Sequence, residues 1–175
     1  GVASTYTGAT TVSAGVLNIQ NATATGTTAG GVTVASGAAL QLQGTIAVGV
    51  EALTLNGTGI SSDGALRNIS EDNSWSGAIT LGSATRINSD SGTLTLSGAM
   101  TGAAQNVTFG GAGNITKTSS AIATTTGTLT KDGAGTLTLN IINSYTGLTT
   151  VSAGTFLYGT AGVISSGPLT VSGGT

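Results

Sequence analysis

Asp63, Arg67, Glu71, Asp72, Arg86 and Asp90 crowd one region of a chain that is otherwise almost uncharged. Carboxylates mixed with basic side chains are what a polysaccharide-active enzyme would use. A glycoside hydrolase needs two carboxyls held at a defined separation. Glu71 and Asp72 are chain neighbours, and neighbours on a strand point to opposite faces. They do not form such a pair by themselves. Trp75, the sole Trp, follows at once. An exposed indole there would stack on a sugar, whereas an aromatic capping the core or covering the base of a loop is the simpler reading. Asp63, Arg67, Glu71, Asp72 and Trp75 are thus the surface-binding candidates. A solvated loop or turn is the plainer account of them, and no catalytic residue is assigned.

Other chemistries fall away on composition. The 175 residues include no His and no Cys, with 4 Lys plus Arg and 6 Asp plus Glu. Thiolate and His-ligated metal sites, disulfides and the usual Ser–His triads are therefore excluded. Four cations and a net charge of −2 leave no basic footprint for nucleic acid. Gly110-Gly111-Ala112-Gly113 lacks the Lys-Ser/Thr of a phosphate loop. Six carboxylates are too few for a ladder of Ca²⁺ sites, so no metal and no cofactor is expected. Pairs such as Thr93-Leu94-Thr95, Thr128-Leu129-Thr130 and Thr136-Leu137-Thr138 would bind ice only if stacked in register on one face. Their uneven spacing argues against it.

The elements that must carry these residues are short strands. An apolar–Thr–apolar unit recurs as Val32-Thr33-Val34, Leu53-Thr54-Leu55, Ile79-Thr80-Leu81, Leu94-Thr95-Leu96, Val107-Thr108-Phe109, Leu137-Thr138-Leu139 and Leu169-Thr170-Val171. Period-two alternation puts the aliphatics inside and Thr outside. Gly-containing turns such as Asn56-Gly57 and Asp132-Gly133 separate the units. Thr and Gly are poor helix formers, and no sustained helical period is present. The fold class is all-β. Of the two architectures that fit, an antiparallel β-sandwich and a parallel β-helix, the small side chains and 3% aromatics favour the helix with its narrow core. At roughly 20 residues per coil, eight or nine coils are expected, with a length on the order of 40 Å. Leu53, Leu55, Ile79, Leu81, Leu94, Leu96, Leu137, Leu139 and Val151 should line the core.

A long echo organises the chain. Residues 6–15 (YTGATTVSAG) return as residues 145–154 (YTGLTTVSAG), identical but for Ala9 against Leu148. The chain thus starts and stops inside one kind of unit, as a window on a longer repetitive rod would. The absence of an initiating Met and of a signal peptide fits that expectation.

Residues 129–139 (LTKDGAGTLTL) followed by 143–156 (NSYTGLTTVSAGTF) resemble the autotransporter-associated β-strand repeat, also called the passenger-associated transport repeat. Its pattern runs L-T-K-x-G-x-G-T-L-T-L and then N-x-Y-T-G-x-T-T-V-x-x-G-T-L. The positions that carry the resemblance are Leu129, Lys131, Gly133, Gly135, Leu137, Leu139, Tyr145, Gly147, Val151 and Gly154. A unit at about 4–19 holds the second half only, the full one spans about 129–158, and residues 110–117 resemble the opening. Residues 40–105 depart from the pattern.

The resemblance implies a right-handed parallel β-helix exported through an outer-membrane β-barrel of a Gram-negative bacterium. On this reading residues 1–175 form a single solenoid segment at the cell surface or outside the cell. It would act as a stalk or adhesin, with no enzymatic activity. Its partners would be flanking segments of the same chain, the barrel during export, and either further copies of itself or a host-surface ligand. A subunit of an extracellular filament is the alternative, and a polysaccharide-active enzyme is the second alternative.

Overall fold

A computed structural model describes residues 3–159 and 166–174. It is all-β, with parallel strands stacked as a solenoid of about seven turns. Three faces run along the stack. Coil 1 contributes β1 (Thr10–Val12) and β2 (Val16–Ile19). Coil 2 holds β3 (Val32–Val34), β4 (Ala39–Leu42) and β5 (Ala47–Val48). Coil 3 holds β6 (Leu53–Gly57), β7 (Leu66–Asn68) and β8 (Asn73–Trp75). In coil 4 the long β9 (Ile79–Ser89) rounds a corner and serves two faces, before β10 (Thr93–Leu96). Coil 5 has β11 (Met100–Thr101), β12 (Val107–Gly110) and β13 (Asn114–Lys117). Coil 6 has β14 (Ile122–Ala123), β15 (Leu129–Lys131) and β16 (Thr136–Leu139). Coil 7 has β17 (Thr149–Val151) and β18 (Thr155–Tyr158), and β19 (Leu169–Val171) follows.

Every strand pairing in this stack is parallel. Face I stacks β1, β3, β6, the first part of β9, β11 and β14. Face II stacks β2, β4, β7, the second part of β9, β12, β15, β17 and β19. Face III stacks β5, β8, β10, β13, β16 and β18. Leu94 to Leu96 therefore joins Leu137 to Leu139 through β13 in parallel, not as an antiparallel sandwich. About seven turns replace the eight or nine expected, because register partners lie 19 residues apart at Thr136 and Thr155 but 27 apart at Ala47 and Ser74. The surplus sits in the corners, as at residues 58–65, where a short 3-10 turn (Ile60–Ser62) is inserted.

The core follows from the alternation. All nine side chains expected inside are buried. On face III one inward column runs Val48, Trp75, Leu96, Lys117, Leu139, Tyr158. Each buried Leu or Ile contributes about 1.5–3 kcal/mol. Along the stack, strand pairing joins each coil to its immediate neighbours.

Outside, Thr ladders run in register. Thr11, Thr33, Thr54, Thr80 and Thr101 align on face I. Uneven spacing in the sequence does not put them out of step, because corner loops absorb the extra residues. On face III the outward pairs are Thr93/Thr95, Asn114/Thr116, Thr136/Thr138 and Thr155/Leu157. Here side-chain chemistry, not register, breaks the Thr-x-Thr pattern.

Corners must let two backbones pass at the spacing of adjacent strands, about 4.8 Å. A Cβ added at Gly135 would overlap the Gly113 carbonyl, and one at Gly147 would overlap the Gly127 carbonyl. Gly49, in contrast, has open space around the position of a Cβ. Gly135→Ala is therefore expected to lower stability by about 2–4 kcal/mol, whereas Gly49→Ala stays within about 0.5 kcal/mol. Denaturant unfolding of the two variants checks this.

Candidate functional site

The charged region is built on face II and its corners. Arg67 lies on β7 and Arg86 and Asn88 on β9, all pointing outward where the register stacks Gln41, Arg67, Asn88 and Gly110. Arg67 binds Asp90 through Nε at 2.8 Å and through Nη2 at 2.7 Å, and reaches Asp63 at 3.3 Å. Asn88 donates to Asp90 at 2.8 Å and accepts from Arg86 at 3.1 Å. Arg86 then forms a two-pronged pair with Asp132, at 2.6 and 2.8 Å. One ladder of two Arg and three Asp thus ties coils 3, 4 and 6 together.

Coil 5 is spanned rather than skipped. Gly110 lies in register beneath Asn88, and a Cβ there would overlap the Arg86 guanidinium and the Asp132 carboxylate. The missing side chain is what lets Arg86 cross to coil 6. The hydrogen bond to Asp90, larger than the opposing effect of burial, raises the Arg67 pKa and keeps its guanidinium charged.

The remaining candidates do not join this ladder. Glu71 accepts the Gly44 N–H at 2.7 Å, and Asp72 accepts the Thr93 N–H at 2.8 Å. Each carboxylate binds the backbone of an adjacent coil at the corner between faces II and III. Trp75 is corrected as a surface candidate. It is fully buried in the face III column, and its indole N–H donates to the Glu51 carbonyl at 2.9 Å. A large apolar side chain at an inward strand position cannot also present its ring to solvent. Asp63 and Arg67 are brought together, Glu71 and Asp72 serve other coils, and Trp75 is core. Arranged this way, the carboxylates fasten coils to one another.

Three polar features were not legible in the sequence. Asn68 and Asn73 turn inward: Asn73 Nδ2 donates to Asn68 Oδ1 at 2.6 Å, and Asn68 Nδ2 donates to Ser89 Oγ and to the Glu71 and Ser91 carbonyls. Lys131 is 2% exposed, and its ammonium lies among the carbonyls of Asp132, Gly133 and Ala153 at 2.6, 2.8 and 3.3 Å. Lys117 occupies an inward position between Leu96 and Leu139, and among the described residues its Nζ has no hydrogen-bond partner. Burial lowers the Lys117 pKa to about 8. A Lys in place of the Leu of a Leu-Thr-Leu unit was the only sequence signal.

The positions that carry the repeat pattern also have structural duties. Leu129, Leu137, Leu139, Tyr145 and Val151 are core. Gly133 and Gly154 adopt φ of +73° and +67°, which Gly takes without the Cβ penalty. Lys131 binds corner carbonyls, while Gly135 and Gly147 admit the coil above. These features define a parallel β-solenoid built from stacked strand–corner–strand repeats. The passenger-associated-transport-repeat family matches residues 1–19 and 129–157. The chain thus carries this repeat at both places, and repeat and solenoid together fit an autotransporter passenger. Comparisons with curated proteins and with solved structures give no match.

Two measurements follow. In a double-mutant cycle, Arg86→Gln and Asp132→Asn should couple by about 1 kcal/mol, weakening as salt is added. Lys117→Met should raise stability at pH 7 by on the order of 2 kcal/mol. The native Lys117 amine loses its proton at about 8, while in the unfolded chain it does so at about 10.4. The penalty is therefore complete below pH 8, and the parent chain gains stability as pH rises from 8 toward 10. Lys117→Met should flatten that rise, read by denaturant midpoints from pH 7 to 10.5.

Proposed function

We propose that this chain is a structural segment of a secreted passenger domain, displayed on or released from a Gram-negative cell after export through an outer-membrane barrel. Its work is mechanical. It serves as a stiff spacer that projects an adhesive region, or adheres through its own walls, and it carries out no catalysis. The observation that carries this reading is the transport repeat found near both ends of one continuous coil stack.

The physical chemistry supports it. A chain without Cys and with few charges can be threaded unfolded, with no disulfide to block it. Each emerging coil then finds the unpaired backbone edge of the previous coil as its template. Arg67 and Arg86 are paired within the ladder, so the long walls present mainly Thr, Ser and amide groups. Such walls associate through hydrogen bonds and close packing rather than through a strong field.

The test is export of a passenger containing this chain with an epitope tag beyond it. The tag should be accessible to antibody on intact cells. Deleting residues 107–128, one register repeat from Val107 to Leu129, should keep export and shorten the solenoid by about 4.8 Å. A tag that never reaches the surface counts against the reading. So does cleavage of an acidic polysaccharide by the purified chain that Asp63→Ala or Asp72→Ala abolishes.

A further inference from the structure

Lys117 is the last residue of β13, and the corner of residues 118–121 follows it. It stands in register between Leu96 of β10 and Leu139 of β16. The side chain is fully buried, and among the described residues its Nζ has no hydrogen-bond partner. Lys131 shows what a satisfied inward ammonium requires in this stack, since the carbonyls of Asp132, Gly133 and Ala153 all receive it. A buried charge without such partners is relieved by the smallest movement that returns it to water.

No counter-ion faces Lys117. β10 and β16, the strands paired with β13, carry no titratable side chain. Neither do β11, β12 and β14 of the same coils. Lys131 on β15 has the same sign of charge. Arg86 on β9 and the Asp132 that follows β15 are paired with each other on the outside of face II. Tyr158 lies two coils along the same column, and burial pushes its phenol up, so it stays neutral across the range in which Lys117 titrates.

The route to water is short. Thr118, Ser120 and Ala121 are half-buried, and Ser119 is exposed. The end of β13 is tied by the Thr118 N–H, which donates to the Leu96 carbonyl at 3.1 Å, and by the Asn140 N–H, which donates to the Lys117 carbonyl at 2.9 Å. Beyond the corner, β14 pairs with β11 over two residues only. On the opposite wall the Arg86–Asp132 pair joins coil 4 directly to coil 6 across Gly110 of coil 5. That pair does not pass through β13, so the flanking coils stay joined while β13 moves.

We propose that the corner after Lys117 is a proton-controlled gate in the wall of the solenoid. While the amine is charged, the end of β13 swings out and carries it to solvent; when the amine is neutral, the strand stays closed. The Arg86–Asp132 pair confines the opening to coil 5. In the closed form the amine loses its proton at about 8, and once exposed it does so at about 10.4. Below pH 8 both forms are charged and opening is most favourable. From pH 8 to about 10.4 only the open form holds the proton, so opening falls by on the order of 100-fold. The gate stands apart from the surface-display reading, because it depends only on Lys117 and the coils around it.

The chain has no Cys, so a single introduced thiol reports opening without background. Leu94, Ile115 and Leu137 are inward, buried and in register on coils 4, 5 and 6. Each is replaced by Cys in turn, and its reaction with dithiobis(nitrobenzoic acid) is timed with Lys117 present and with Lys117→Met. At pH 7, Ile115→Cys should react on the order of 100-fold faster when Lys117 is present, and the two rates should converge by about pH 10.5. Leu94→Cys and Leu137→Cys should react roughly tenfold more slowly than Ile115→Cys, because they lie outside the opening unit. Adding Arg86→Gln should bring Leu137→Cys up toward the Ile115→Cys rate. Equal rates at all three positions would overturn the proposal, and so would an Ile115→Cys rate that Lys117→Met leaves unchanged. If Ile115→Cys does not fold, hydrogen exchange at the Asn140 amide makes the same comparison at pH 7 between the Cys-free chain and Lys117→Met. Faster exchange with Lys117 present supports the gate, and equal exchange overturns it.

Discussion

Each coil of this protein is held by backbone hydrogen bonds to the coil above and the coil below, in register and at one fixed spacing. That spacing, about 4.8 Å, governs the rest. Strands accept it easily because side chains alternate inward and outward. Corners accept it only where a Cβ would not meet the carbonyl of the next coil. Gly113 and Gly135, and Gly127 with Gly147, meet that demand. The light composition is a consequence of the stacking constraint at the corners and of the narrow core between three faces.

The same constraint makes interactions local along the axis. A side chain reaches the coil beside it, and a longer reach needs an opening in between. Arg86 reaches Asp132 because Gly110 leaves the way clear. Charge in this protein is accordingly used as stitching between coils. Glu71 and Asp72 bind backbone amides of coils 2 and 4, and Lys131 binds the carbonyls of its own corner and the next. Lys117 is the exception. It occupies a Leu position with no partner among the described residues, so its burial opposes folding until the amine is neutral.

Much of the fold was legible in the residues. Val32-Thr33-Val34 and its relatives read as strands because period two leaves little choice about which side chain turns inward. The unit at about residues 129–158 pointed to a solenoid through its resemblance to the transport repeat. The candidate site was half legible. Asp63, Arg67 and Asp90 stood out by charge, and their union is a matter of stacking. Trp75 was open to two readings, an exposed stacking ring or the simpler core aromatic, and only the pleat, which chain proximity to Glu71 and Asp72 does not reveal, puts it in the core. Asn68 and Asn73 gave no sign of turning inward, since the partners that complete their buried network, Ser89 and Ser91 for Asn68 and the Ile46 N–H for Asn73, belong to neighbouring coils.

The sequence by itself determined strand identity, the inward and outward faces, the lack of thiol and imidazole chemistry, and the presence of the transport repeat. These are properties of residue type and near-neighbour spacing. Only the tertiary structure decided which coil lies against which, that loops of unequal length still leave the Thr columns aligned, and that two nearly identical motifs sit one face apart. The physical reason is that parallel strands pair across 19 to 28 residues of chain. The length of each corner, which local sequence does not dictate, sets the register that brings distant residues together.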